Sequence, residues 1–217
     1  MKYIKKVPIL GPLISIINSY VYNGSDEAST TIAPFRKWFI KLGSNIIAAV
    51  TLSLLLVGCF DLGYTSFPSS DIALAIFPSI LGFGIGVYAL LFSIQDRLIA
   101  WMEDRHSKRE LPFGPKVLIS DMAYPLVVYI FVLLLSGINK AFAPKLIQGE
   151  FIGAFLLFYG LLITLELVIT IYTVSDIMFT LKVNDIRKDR LTQKIEPTKN
   201  KPLFYNLGRF MKSDDDK

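Results

Sequence analysis

The chain has 217 residues, 53% of them hydrophobic, and a mean hydropathy of +0.49, too apolar for an ordinary soluble domain. Its 23 Lys+Arg against 18 Asp+Glu give a net charge of +5, a surplus that membrane proteins keep at the cytoplasmic interface and that need not imply nucleic acid. One cysteine, Cys59, and one histidine, His106, exclude an intrachain disulfide and multi-Cys or His–His metal sites, and leave a serine-type triad only through His106.

The first apolar stretch, Val7 to Tyr22, is broken by Pro8, Gly11, Pro12 and Asn18. No small-x-small cleavage site comes after it, as one would after a signal peptide core. As a full span it would put Arg36, Lys37 and Lys41 outside. It therefore reads as an interfacial or re-entrant segment, and residues 1–41 as an interfacial and cytoplasmic N-terminal segment. Asn23 to Thr31 is a polar connector, and Arg36, Lys37 and Trp38 anchor the first span at the headgroups.

Four charge-bounded windows approach or exceed the ~20 apolar residues that a helix needs to cross a ~30 Å hydrocarbon core. They are Leu42 to Phe60, Ile72 to Gln95, Met122 to Asn139 and Phe151 to Ser175, the last interrupted only by Glu166. A soluble bundle would show a polar face on each helix, and these windows do not. The expected fold is an all-α integral membrane four-helix bundle over residues 42–190. Cys59, at the outer end of the first span, reads most simply as an apolar filler, with an intermolecular disulfide as the alternative.

In the second span Ala75, Ser79, Gly82, Gly86, Ala89 and Ser93 fall within about 80° of arc, a continuous stripe of small residues. Such stripes let helix backbones approach closely in lipid, either within the chain or between subunits. Leu81-Gly82-Phe83-Gly84-Ile85-Gly86 lacks the preceding Thr/Ser-Val pair and pore helix of a potassium filter. Beyond Gln95 the helical pattern continues to about Glu110 and carries Trp101 and Met102. His106 sits among charges on a solvated face.

In the fourth span Tyr159, Glu166, Thr170 and Thr173 share one face, with Gly153, Gly160 and Thr164 on a second, small one. A carboxylate at mid-bilayer costs about 2.5–3.5 kcal/mol on insertion scales, so Glu166 should face the bundle or a subunit axis. It either stitches helices together or lines a cation path, with Asn45 and Thr51 of the first span as candidate partners. The helix should continue to about Arg190 as a cytoplasmic stalk. A flexible basic tail, 191–217, would come next, carrying the Phe204, Tyr205 and Phe210 cluster. Its end, Ser213 to Lys217, resembles part of an epitope or protease tag and carries no functional reading.

Orientation comes from the basic residues. Twenty-one of the 23 fall before the first span, in the second loop or in the tail, which places both termini in the cytoplasm.

The words Pro78-x-x-Leu81-Gly82-Phe83-x-x-Gly86-x-x-Ala89 are similar to a phrase in small bacterial four-span proteins, some from phage-defence loci, such as the membrane subunit of the Kiwa system. The resemblance covers about twenty residues of one span and implies a membrane partner for a cytoplasmic effector. The expected function is an oligomeric scaffold or sensor subunit of the bacterial inner membrane, recruiting a cytoplasmic protein through Trp101, Met102 or the tail cluster. The alternative is an oligomeric ion-conducting pore with Glu166 near the path. No catalytic residue, cofactor, metal or direct nucleic-acid contact is expected.

Overall fold

The computed structural model describes residues 8–25, 27–60, 67–91, 96–108, 114–142 and 147–199. Among them the chain forms seven α-helices and no strand: α1 (Leu10–Val21), α2 (Glu27–Thr30), α3 (Phe35–Phe60), α4 (Ser69–Leu91), α5 (Asp96–Ser107), α6 (Lys116–Phe142) and α7 (Ile147–Lys199). Four of them contain stretches long and apolar enough to cross a membrane: Phe35–Gly58, Ser69–Leu90, Lys116–Phe142 and Gly149–Arg187. The all-helical character and the four long apolar helices read from the charge-free windows are thus present.

The helices are longer than those windows. α3 begins seven residues before Leu42, directly after Pro34, and α6 begins six residues before Met122, after Gly114-Pro115. A charge-free window marks only hydrocarbon depth. The backbone helix runs on through Arg36 and Lys37 because long basic side chains can reach the interface while their stems stay apolar, and it also includes Asp121. α7 likewise continues past Arg190 to Lys199, since Leu191 to Glu196 includes several good helix formers and Pro197 lies only at its end. The tail expected from residue 191 therefore starts as helix. Residues 200–217, with Phe204, Tyr205 and Phe210, lie outside the described residues.

The chain divides into two compact units, Met1–Thr173 and Val174–Lys217. In the first, α6 is the hub. Half of its most apolar window is buried, against 17% for α3 and α4. α4 packs on α6, and α1 packs on α6 and α3. Tyr20, Phe77, Met122, Tyr129, Val132 and Ile163 make the centre of the core. Ile47, Leu54, Leu55, Phe83, Leu134 and Leu165 point outward. Such an apolar exterior is what four spans present to lipid.

One end of the bundle is fastened by polar contacts. Lys140 at the end of α6 pairs with Asp71 at the start of α4 at 2.6 Å. The Asn139 amide donates to Ser70 Oγ at 3.0 Å and to the Gly149 carbonyl at 2.8 Å. α4 and α6 are therefore antiparallel, as consecutive crossings require.

α1 is 12 residues, about 18 Å, too short to cross a ~30 Å core. Asn18, which looks like an interruption in an apolar run, organises this region. Fully buried, it donates to the carbonyls of Ala28 and Thr31 at 2.9 Å each and accepts from the Ala33 amide at 2.8 Å. The connector thus folds back on α1, turning at Asn23 and Gly24, both with positive φ.

In the second unit the described residues are the C-terminal part of α7. Phe179, Val183 and Ile186 are exposed there at spacings of four and three, one helix face.

Candidate functional site

Glu166 is the centre of a polar cluster drawn from four helices. Its Oε1 accepts from the Tyr20 phenol of α1 and its Oε2 from the Asn45 amide of α3, the latter at 3.0 Å. The Tyr20 ring stacks on Tyr124 of α6, centroids 3.9 Å apart and nearly parallel. The Lys41 ammonium lies 4.6 Å from the Tyr20 ring centroid, on the electron-rich face that attracts a cation. Tyr124 and Tyr159 share a hydroxyl–hydroxyl hydrogen bond of 2.6 Å. Asp121, one turn before Tyr124, has Lys41 and Glu166 as charged neighbours, and its buried Oδ1 has no hydrogen-bond partner.

Glu166 lies well inside the Gly149–Arg187 stretch, 17 residues after its start and 21 before its end. Lys41 and Asp121 belong to the second turns of α3 and α6, and Glu166 of α7 meets them there. Two donors on the carboxylate lower the cost of holding it among apolar helices.

The expected polar face of α7 divides. Tyr159 and Glu166 reach across to other helices. Thr170 and Thr173 turn their hydroxyls back to the carbonyls of Glu166 and Ile169 on their own helix. Thr51 does the same toward Ile47, so of the two partners considered only Asn45 reaches Glu166. The small face of α7 packs inside the chain. A Cβ at Gly153 would lie 2.6 Å from Ser69 Oγ, a Cβ at Gly160 would enter the Phe77 ring, and Thr164 accepts from Tyr129 at 3.1 Å.

The stripe on α4 does not pack this way. Ala75, Ser79, Gly82, Gly86 and Ala89 are exposed, and a Cβ at Gly82 or Gly86 would meet nothing within 4 Å. Intrachain packing of α4 instead uses Ala73, Phe77 and Gly84, whose added Cβ would lie 2.7 Å from Leu126. The within-chain reading of the stripe is corrected accordingly: α4 buries the face that carries its large side chain, Phe77, opposite the glycine of α7. Ser93 lies outside the described residues.

On α5, Met102 is buried at 1% exposure, so it offers no surface to a partner. Trp101 is half-buried beneath Arg105, whose guanidinium carbon is 5.2 Å from the ring centroid. Cys59 lies at the end of α3.

Tyr20, Lys41, Asp121 and Tyr124 do not stand out as site residues in the sequence. Asp121 is legible there only as the boundary of an apolar window. The available signal is the Gly114-Pro115 start, which places Asp121 inside the helix. Tyr20 has none, because its partner lies 146 positions away.

As chemistry, the cluster holds two carboxyls, one ammonium and three phenols. It can fasten α1 and α3 to α7. Among the described residues no group of three His, Cys, Asp or Glu side chains could hold a metal ion. Fold and composition define the class, an all-helical chain with four helices able to cross a membrane. No family model, curated protein or solved structure matches it.

Proposed function

We propose that the protein is a multi-pass scaffold or sensor subunit of the bacterial inner membrane. Both termini are cytoplasmic, the subunit self-associates in the bilayer, and it holds a cytoplasmic protein partner. The observation that carries this reading is α7, which has 53 residues where a span needs about 20 and exposes Phe179, Val183 and Ile186 on one face of its distal part. An exposed apolar stripe flanked by charged residues is the form in which a helix offers itself to another helix. The outward small-residue face of α4 supports self-association. The basic residues of the N-terminal segment, second loop and tail support the cytoplasmic placement of both termini. The likeness of Pro78 to Ala89 to proteins of phage-defence loci supports a role beside a cytoplasmic effector. A cation path through Glu166 has less support, since both its carboxylate oxygens are engaged within the chain.

The test is affinity purification from native membranes. A stoichiometric partner should accompany the full chain. It should be lost when residues from Leu191 onward are deleted, or when Phe179, Val183 and Ile186 are changed together to Ser. Absence of any partner, or one retained by both variants, overturns the scaffold reading.

A further inference from the structure

Between α1, α3, α6 and α7 lies an apolar crevice of about 280 Å³, open on one side. Ile17, Trp38, Leu42, Val128, Leu135 and Phe155 are among its walls. Its α6 wall runs from Tyr124 to Leu135, eleven residues or about 16 Å, close to the ~15 Å depth of one leaflet. The few polar atoms near it are already engaged. The Tyr124 and Tyr159 hydroxyls bond each other, and the Trp38 indole N–H donates to the Ala33 carbonyl at 3.1 Å, leaving ring carbon toward the crevice. In hydrocarbon such a space is filled, because a void forfeits the dispersion contacts of its walls.

Charge marks one end. Lys37 and Lys41 are one turn apart on α3, on either side in sequence of the lining Trp38 and beside Leu42, and Arg36 is exposed next to them. Lys37 lies 3.9 Å from Glu27, an ion pair between two exposed side chains that solvent weakens. Lys41 lies over the Tyr20 ring with Asp121 and Glu166 nearby, deeper in the bundle. A concave apolar slot as long as one leaflet, with basic side chains and a tryptophan at its end, has the form of a lipid site.

We propose that this crevice binds one acyl chain of an anionic phospholipid of the bilayer, with the phosphate headgroup at Lys37 and Lys41. The site would seat α3 against α6 and α7 through lipid as well as through Asn45 and Glu166.

The test uses Trp38 as reporter. The chain has two tryptophans, so Trp101→Phe leaves Trp38 alone. This protein is reconstituted into phosphatidylcholine vesicles containing increasing fractions of acyl-brominated phosphatidylglycerol or, in parallel, acyl-brominated phosphatidylcholine. Bromine quenches the indole only on contact. Brominated phosphatidylglycerol should quench half-maximally at about a tenfold lower mole fraction. Lys37→Ala with Lys41→Ala should abolish that preference, and Lys37→Ala alone should reduce it. Val128→Phe or Leu135→Phe, each filling the crevice, should remove the low-fraction quenching with both lysines in place. Equal quenching by the two lipids overturns the proposal. So does a preference that survives the lysine changes, or quenching indifferent to both filling variants. Shielding of Trp38 from both lipids would overturn it in favour of a second copy of the chain covering the crevice.

Discussion

The Tyr20 phenol donates to the Glu166 carboxylate across 146 positions of sequence, fastening the short first helix to the last span. Asn45 supplies the second donor, at 3.0 Å, so three helices meet on one side chain. Removing either donor leaves a carboxylate oxygen short of a partner in a partly buried setting. Tyr20→Phe should therefore lower unfolding stability in mixed micelles by about 1–3 kcal/mol. Glu166→Gln, which keeps shape and one acceptor, should cost less. A double-mutant cycle between them should show coupling above ~0.5 kcal/mol, and simple additivity would mean the bond contributes nothing.

The same residue separates fastening from conduction. With both oxygens of Glu166 engaged inside the chain, Glu166→Gln should leave cation flux per assembled oligomer in liposomes unchanged at matched pH. A fall in flux, or a lost cation preference with assembly intact, would restore the cation-path reading.

Two pairs of glycines should behave oppositely. Gly82→Leu with Gly86→Leu places side chains where the chain has no neighbour, so folding and insertion should persist while detergent-solubilised oligomers become smaller. Gly160→Ala drives a methyl into the Phe77 ring and Gly153→Ala drives one against Ser69 and Ser70. Each should cost about 1–3 kcal/mol of stability. Unfolding of the α4 pair, with no separable smaller species, would contradict the outward placement of the stripe.

Gly24 is held at φ +67, and a Cβ there would collide with the backbone of Lys116 and Val117 at the start of α6. Gly24→Ala combines a disfavoured backbone conformation with a contact that no rotamer change relieves. Thermal unfolding should shift down by the equivalent of at least ~1 kcal/mol. An unchanged midpoint would show that the connector does not pack on α6 in the membrane.

Membrane orientation is tested by cysteine accessibility in a Cys59→Ser background. Thr65→Cys and Ile147→Cys should label from outside intact cells, while Ser107→Cys and Asn200→Cys should not. External labelling of Thr30→Cys would place the α1 connector outside and invert the proposed arrangement of the N-terminal segment.

The sequence by itself determined the four apolar helices. Segregation of charge from 20-residue apolar windows is a local property, imposed by the thickness of hydrocarbon and readable without any partner. It also singled out Glu166 and the small faces of α4 and α7, because a carboxylate or a glycine series stands out against an apolar background. Which neighbour each would meet is a nonlocal question, decided only by tertiary structure. Glu166 found Tyr20 and Asn45 rather than Thr51, and α7 buried its small face against Phe77. The stripe of α4 was left outward, because one helix cannot turn both faces to the same bundle. Asp121, a window boundary in one dimension, became an interior residue because α6 starts at Lys116 and packs on α1. Helix periodicity sets which residues share a face, and only packing sets what that face touches.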